Sequence, residues 1–301
     1  DIAPAKRSTP LIPGLPLMTQ GSKPWDAGNL IVEPEDYAAV ESDPRAAKYM
    51  RPFRQSTEML YSKPRWCLWL KEASPEDIKG SPVLRQRLAL VKDARLKSPT
   101  KAVQELANTP GLFAQDRQPG TQYLALPEVS SENREYVPAV FYESEVIAGN
   151  KLMVIAGAPL WIFGFLQSMA FSNWVKTYAG RLESRLSISP GLTYFTFPFP
   201  VLDESKQERV QEAAEVVLAA RKDFPDYTLA SLYDAYAMPP ALRTAHKQLD
   251  KEVDGLFGLK SPTEGDRLRA LVARYTELAQ ADQLDLEAGK AKPKKRARKK
   301  A

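Results

Sequence analysis

The 301-residue sequence predicts an α+β chain: a mixed α/β part over residues 1–200, a small helical bundle over 201–279 and a disordered basic tail over 280–301. Three observations predict it. Before Pro200, short apolar and aromatic runs recur between polar, proline-containing turns, the pattern of short strands with helices among them. After Pro200, apolar residues recur at helical spacing behind capping signals. The last twelve residues, KAKPKKRARKKA, carry eight Lys or Arg and no acid, a run that cannot build a core.

Each element has its own local reason. Residues 1–24 are Pro-rich and irregular. Asn29–Val32 reads as a strand, followed by a short helix that Pro34 opens with acids in its first turn. PRWCLWL, residues 64–70, is an aromatic strand. Residues 75–97 read as helical, with Pro82 starting a fresh helix. Leu84, Leu88 and Val91 line one face of that helix, and Arg85, Arg87, Lys92 and Arg95 decorate the rest. Residues 122–157 form successive short strands. PLWIFGFLQSMAFSNWVKTYAG reads as one apolar helix, with Pro159 in its first turn and Gly180 after its end. AGRLESRLSIS, residues 179–189, alternates like a single strand: Arg181, Glu183, Arg185 and Ser187 on one side, Leu182, Ser184, Leu186 and Ile188 on the other. The aromatic run YFTFPFP closes the strand-rich part. Ser205-x-x-Glu208 then reads as a capping box ahead of Val210, Ala213, Ala214, Val217 and Leu218. Pro239–Pro240 open a helix with Leu242, Leu249, Val253 and Leu256 on one face and Gly258 as its stop. Ser261-x-x-Glu264 caps a last helix.

Composition narrows the function. The chain is 44% hydrophobic and 26% charged, ordinary for a soluble globular protein. No apolar run approaches the roughly 20 residues of a membrane span. Cys67 stands alone, which rules out an intramolecular disulfide and fits a reducing cytoplasm. A single histidine, His246, argues against a His-based metal site or a Ser-His-Asp triad within the chain. The start at Asp1 points to a piece of a longer protein. Removing the eight tail charges from the net +5 leaves −3 for residues 1–289, so any nucleic-acid binding by the body needs a local patch.

Catalytic motifs are missing. There is no Gly-x-Gly, no Walker loop and no Asn-Pro-Pro-Tyr-type tetrapeptide. Pro75-Glu76-Asp77-Ile78-Lys79 has the wrong acid spacing for a nuclease and reads as a helix start. Cys67, between Trp66 and Leu68, reads as a buried thiol, and His246 as a helical histidine that is partly exposed or hydrogen-bonded. Three polar constellations remain: SSENRE (130–135), Lys151 after the Gly149-Asn150 turn, and AGRLESRLSIS. Taken alone, the first is as readily an exposed turn, while the second reads first as a solvated lysine and the third as a charged edge strand.

The sequence resembles the C-terminal part of the MmeI-like, type IIL restriction-modification proteins. The resemblance covers almost the whole chain. It rests on GLPLMTQGSKPWDAGNLIVEPEDY (14–37), AAKYMRPFRQSTEML (46–60), PRWCLWL, LALPEVSSENREYVP, NKLMVIAGAPLWIFGFLQS, AGRLESRLSIS, YFTFPFP and AHKQLDKEVDGLFG, in that order. It implies that residues 1–200 read a double-stranded DNA target and that the helical part helps grip the duplex. It also implies an adenine-N6 methyltransferase and a nuclease upstream, in a phage-defence protein of the bacterial cytoplasm. S-adenosylmethionine and Mg2+ would serve those upstream parts, with no cofactor expected in residues 1–301. The positions matching the family's base-choosing segments are Glu183 and Arg185, then Lys151 and Ser187, and more loosely Ser184. Ser187 stands where many relatives carry a basic residue, which leaves the base beside the Glu/Arg contact open. Asn133 and Arg134 fall in a characteristic stretch, and their DNA contact is our inference; Arg181 and Lys176 are candidate phosphate contacts. Residues two apart on a strand face the same way, about 6.6–6.8 Å apart. On that geometry Glu183 accepts from cytosine N4–H while Arg185 donates to guanine O6 and N7. Two other readings stay open: the specificity portion of a complex with catalytic domains on other chains, and a protein-interaction module using the apolar helix 159–179.

Removing residues 290–300 is expected to weaken duplex binding about equally for all sequences and to flatten its salt dependence. Fluorescence anisotropy across a salt series checks this, and an altered sequence preference would contradict it.

Overall fold

The computed structural model describes residues 3–290, the side chains of 285–290 excepted. Its short strands form three small sheets. The central sheet is antiparallel, in the order β1 (Met18–Gln20), β9 (Leu152–Ala156), β5 (Tyr123–Pro127) and β7 (Val140–Tyr142). A second sheet runs β2 (Ile31–Val32), β4 (Trp66–Leu68), β3 (Met50–Arg54) and β8 (Ile147–Ala148), the last pair parallel. The third is β10 (Gly180–Leu182), β11 (Arg185–Ser187) and β6 (Val129–Ser130). Every residue of β5 is buried because both faces of the central sheet are covered. Leu124 and Leu126 face the main core, and Tyr123 and Ala125 face a smaller cluster with Met59, Leu152 and Val154.

The main helices are α1 (Pro82–Leu96), α2 (Leu160–Leu166), α3 (Met169–Tyr178), α4 (Glu204–Lys222), α5 (Pro240–Leu256) and α6 (Glu264–Lys290). The architecture is α+β, as the patterning predicts. The sheet-bearing part and the bundle share one core. Val210 and Val217 of α4 and Leu242 and Val253 of α5 join Leu124, Phe163 and Trp174 in a single cluster. Helices α2 and α4 approach closely at Gly164, where an added Cβ would lie 2.6 Å from Val210 Cγ1.

The structure departs from the sequence expectations at several points. The apolar stretch 159–179 is two helices, broken at Gln167–Ser168. The Ser168 hydroxyl caps α3 by accepting from Phe171 N, and Gln167 turns its amide to Val137 O at 2.5 Å. YFTFPFP is not a strand. A π-helical turn over Pro190–Tyr194 leads into irregular chain that buries Phe197 and Phe199 edge-to-face. Each such burial contributes roughly 1.5–3 kcal/mol, which holds the segment without a β ladder. The capping residues also shift by two. Asp203 accepts from Lys206 N to cap α4, and Thr263 and Asp266 cap α6 reciprocally. Helix α6 continues to Lys290, past the expected start of the tail, and the expected disorder of 291–301 lies outside the described residues. Pro75 opens a helix capped by Ser74, so the PEDIK stretch is a helix start.

Arg95 is the largest departure. It is 1% exposed instead of decorating the surface of α1. Its guanidinium donates to five carbonyls, those of Pro24, Trp25, Leu106, Thr109 and Leu112, at 2.7–3.0 Å. Helical spacing could not show this, because all five acceptors lie outside α1, four in irregular chain and Leu106 at the start of a 3-10 turn.

His246 is fully buried, with Nε2 2.8 Å from Tyr233 Oη and Nδ1 3.0 Å from Gln167 O. A carbonyl only accepts, so Nδ1 carries the proton and Nε2 accepts from the tyrosine. Burial and the nearby Arg221 charge push its pKa down to about 3. One turn on, burial pushes Asp250 up to about 6, although it accepts from Tyr136 Oη and Met169 N.

Two predictions follow from these buried groups. Arg95→Leu strands five acceptors and is expected to cost at least about 3 kcal/mol in urea unfolding, while Arg85→Ala on the exposed side of α1 stays within about 0.5 kcal/mol. The second concerns pH. Below about 6.5 the unfolded chain protonates His246 while the fold keeps it neutral, so its contribution to stability is lost as pH falls from 6.5 toward 3. Asp250 has the opposite sign between 3.8 and about 6, where the fold holds the proton and the unfolded chain does not. Urea midpoints between pH 7 and 4 are expected to fall less steeply in His246→Gln, and more steeply below pH 6 in Asp250→Asn, than in the wild type.

Candidate nucleic-acid interface

The alternating stretch AGRLESRLSIS is not one strand but a tight hairpin. Leu182 pairs with Arg185, Arg181 with Leu186 and Gly180 with Ser187, so Glu183 and Ser184 alone make the turn. Directly paired residues of an antiparallel ladder point to the same face. Paired positions here differ by an odd number, so side-chain parity inverts across the turn. Arg185 and Ser187 therefore share the outer face with Leu182, which is 49% exposed and not an anchor. Arg181 lies on the opposite face with Leu186 and Ser130. Leu186 and Ile188 are buried, as expected of the anchoring side.

Glu183 occupies the first turn position with φ +57°, as the tight turns favoured in hairpins require. Its carboxylate meets Arg185 at 3.0 Å, with side-chain exposures of 79% and 49%. A pair this exposed contributes about 0–1 kcal/mol, so either partner is released at little cost. Ser184 is exposed at the tip.

Arg181 is a clamp. It donates to Glu132 at 3.2 Å, to Ser184 O at 3.2 Å and to Lys176 O at 3.0 Å, joining the turn, the 131–135 loop and the end of α3. Lys176 is half-buried, and its backbone serves this clamp. Asn133 is exposed in the loop. Arg134 is half-buried, its Nε shielded and without a hydrogen-bond partner.

Lys151 reaches the hairpin through Glu128. Its Nζ lies 2.8 Å from the Glu128 carboxylate and its carbonyl accepts from Glu128 N at 2.9 Å. The Glu128 carbonyl accepts from Ile188 N at 2.7 Å, and Val129 pairs with Ser187. Ser56 Oγ donates to Lys151 O, and Gln55 Oε1 accepts from Lys151 N. The pairing of β6 with β11 and the backbone bonds of Glu128 to Lys151 and Ile188 thus link Lys151 to Ser187, Arg185 and the Glu183–Ser184 turn, with Asn133 and Arg134 in the loop that follows β6. Glu128 and Glu132, which partner Lys151 and Arg181, were not singled out in the sequence. The hint was a carboxylate interrupting the apolar run LALPEV; its partner depends on the register of β5 with β9. Among the described residues no group of His, Cys, Asp and Glu is arranged to hold a metal ion, and no helix is long and apolar enough to cross a membrane.

A family model described as MmeI, target recognition domain, matches residues 1–201, and one described as MmeI, C-terminal domain, matches residues 201–282. The chain belongs to the MmeI family. It is 34% identical over 282 residues to DNA methyltransferase A of Bacillus subtilis (strain 168), covering 93% of this chain and 32% of that protein. It is also similar to the solved type IIL restriction-modification enzyme MmeI in complex with DNA, with a TM-score of 0.90, 38% identity, and coverage of 93% of this chain and 38% of that one. The chain thus spans about a third of the length of these MmeI-family relatives.

Proposed function

We propose that residues 1–200 of this MmeI-family chain read a double-stranded DNA target for an adenine-N6 methyltransferase and restriction endonuclease carried on the same, longer polypeptide. S-adenosylmethionine and Mg2+ would serve those other parts, and the setting would be phage defence in the bacterial cytoplasm. Residues 201–279 would form the helical domain that packs beside the reader and helps grip the duplex. The observation that carries the reading is the hairpin tip, where Glu183 and Arg185 sit exposed, paired to each other and tied to no core group. The B-DNA major groove, about 12 Å wide, admits a two-stranded β-ribbon. Glycine would hold the positive φ of residue 183 at lower cost. A glutamate there points to a use for its carboxylate.

In the groove Glu183 accepts from cytosine N4–H and Arg185 donates to guanine O6 and N7, so the pair reads both halves of one C·G. Each contact discriminates by about 1–3 kcal/mol, more than the exposed ion pair it replaces. Lys151, Ser187 and Ser184 read neighbouring positions along the same edge. Arg181 and Lys176 support the hairpin from behind. Asn133 and Arg134 approach the duplex from the adjoining loop.

Glu183→Lys combined with Arg185→Asp, made in the full-length protein, is expected to reverse that pair to G·C. Mapping methylated sites by sequencing checks it. Methylation at the original sequence by the double variant would sink the assignment.

A further inference from the structure

The reading edge carries almost no net charge. Lys151 is matched by Glu128 at 2.8 Å, Arg181 by Glu132 at 3.2 Å and Arg185 by Glu183 at 3.0 Å. Yet affinity for a duplex comes largely from cations on phosphates. With −3 on residues 1–289, the body has no general positive field to supply it. Apart from the basic tail, cations free to meet phosphate are then to be sought on a surface that adjoins this edge.

Helix α5 provides such a surface. Arg243, Lys247 and Lys251 recur every four residues, about 6 Å apart along the axis and on one side. Arg243 ties the head of this stripe to the reading loop through Glu135 at 2.5 Å. Lys247 and Lys251 are exposed, and among the described residues neither is in an ion pair. They line a groove of about 720 Å³ together with Lys260 and Arg209. Lys260 is also exposed and outside the ion pairs of the described residues. Of the groove's acids, Asp250 and Asp254 are buried and hydrogen-bonded within the protein, and Glu252 lies 3.9 Å from Arg209. At the head of the stripe, Asp234 Oδ1 accepts from Tyr236 N and Ala237 N and fixes a turn that leaves Tyr236 98% exposed. Its hydroxyl is free to reach a phosphate.

We propose that the Lys247–Lys251 stripe and Lys260 form a sequence-independent track for the phosphate backbone beside the bases read by the hairpin. This rests on the DNA-reading function proposed above. It separates two tasks: the hairpin chooses sequence with little net charge, and α5 supplies affinity with little choice.

The test is duplex binding by the full-length protein across a salt series, wild type against Lys247→Ala with Lys251→Ala. Loss of two phosphate contacts is expected to make the slope of log affinity against log salt shallower by about 1.8. Between 50 and 200 mM salt the variant would then lose about twelvefold less affinity than the wild type. The sequence preference and the methylated sites stay unchanged. A slope equal to that of a tightly bound wild type overturns the track and leaves the hairpin reading standing, and so does a variant that changes sequence preference. Absence of any duplex binding by the wild type overturns the DNA reading and the track with it. Both lysines are exposed on the helix, so circular dichroism of the variant is expected to match the wild type.

Discussion

The arrangement depends on one half-buried guanidinium. Arg221, at the end of α4, donates to Tyr233 Oη, to Ala139 O at 2.7 Å and to Gln167 Oε1 at 2.5 Å. Gln167 in turn holds Val137 O, and His246 bridges Tyr233 Oη and Gln167 O. A half-buried guanidinium is held best where its donors are satisfied, and here its partners hold together as a set. The set includes the break between α2 and α3, the 137–139 segment leading into β7, and both bundle helices α4 and α5. Through it the bundle orients α3, and α3 carries the hairpin. The 131–135 loop is held between this anchor and the Arg181 clamp.

That anchoring explains why the reading edge can be polar and exposed without being loose. The hairpin is secured from behind by Leu186 and Ile188 in the core and by Arg181, which spends its donors on Glu132 and two carbonyls. The outer face is then free of structural duty. Its ion pairs are weak, so exchanging them for base edges changes little in the fold. In the proposed reading, neutral pairs also avoid binding every duplex equally, and the stripe on α5 would supply the affinity that the hairpin lacks.

Much of the fold was legible because it is local. The helix starting at Pro82, the face of Leu242, Leu249 and Val253, and the stop at Gly258 follow from spacing and backbone preference. The departures have non-local causes. The apolar stretch breaks at Gln167, whose amide is drawn to distant partners at both ends: its Oε1 accepts from Arg221 and its Nε2 donates to Val137 O. Arg95 lies inside because the Pro24–Trp25 segment, 70 residues away, and the 106–112 segment bring five carbonyls to one point. YFTFPFP has strand composition but fills a core corner in irregular form, where packing of its rings outweighs ladder hydrogen bonds.

For the proposed reading site, the sequence by itself nominated the candidates. Alternating Arg, Glu and Arg, a lysine after a Gly-Asn turn and a chain-long likeness to one family together named Glu183, Arg185, Lys151, Ser187 and Ser184. It could not determine which of these side chains share a face. A two-residue turn at Glu183 and Ser184 inverts the alternation, so Arg181 leaves the group and Leu182 enters it. The pairing of β11 with β6 then brings Lys151 alongside through Glu128. Only the tertiary structure decides this, because a strand's pattern gives parity along one segment, while facing depends on where the chain turns and which distant strand it pairs with.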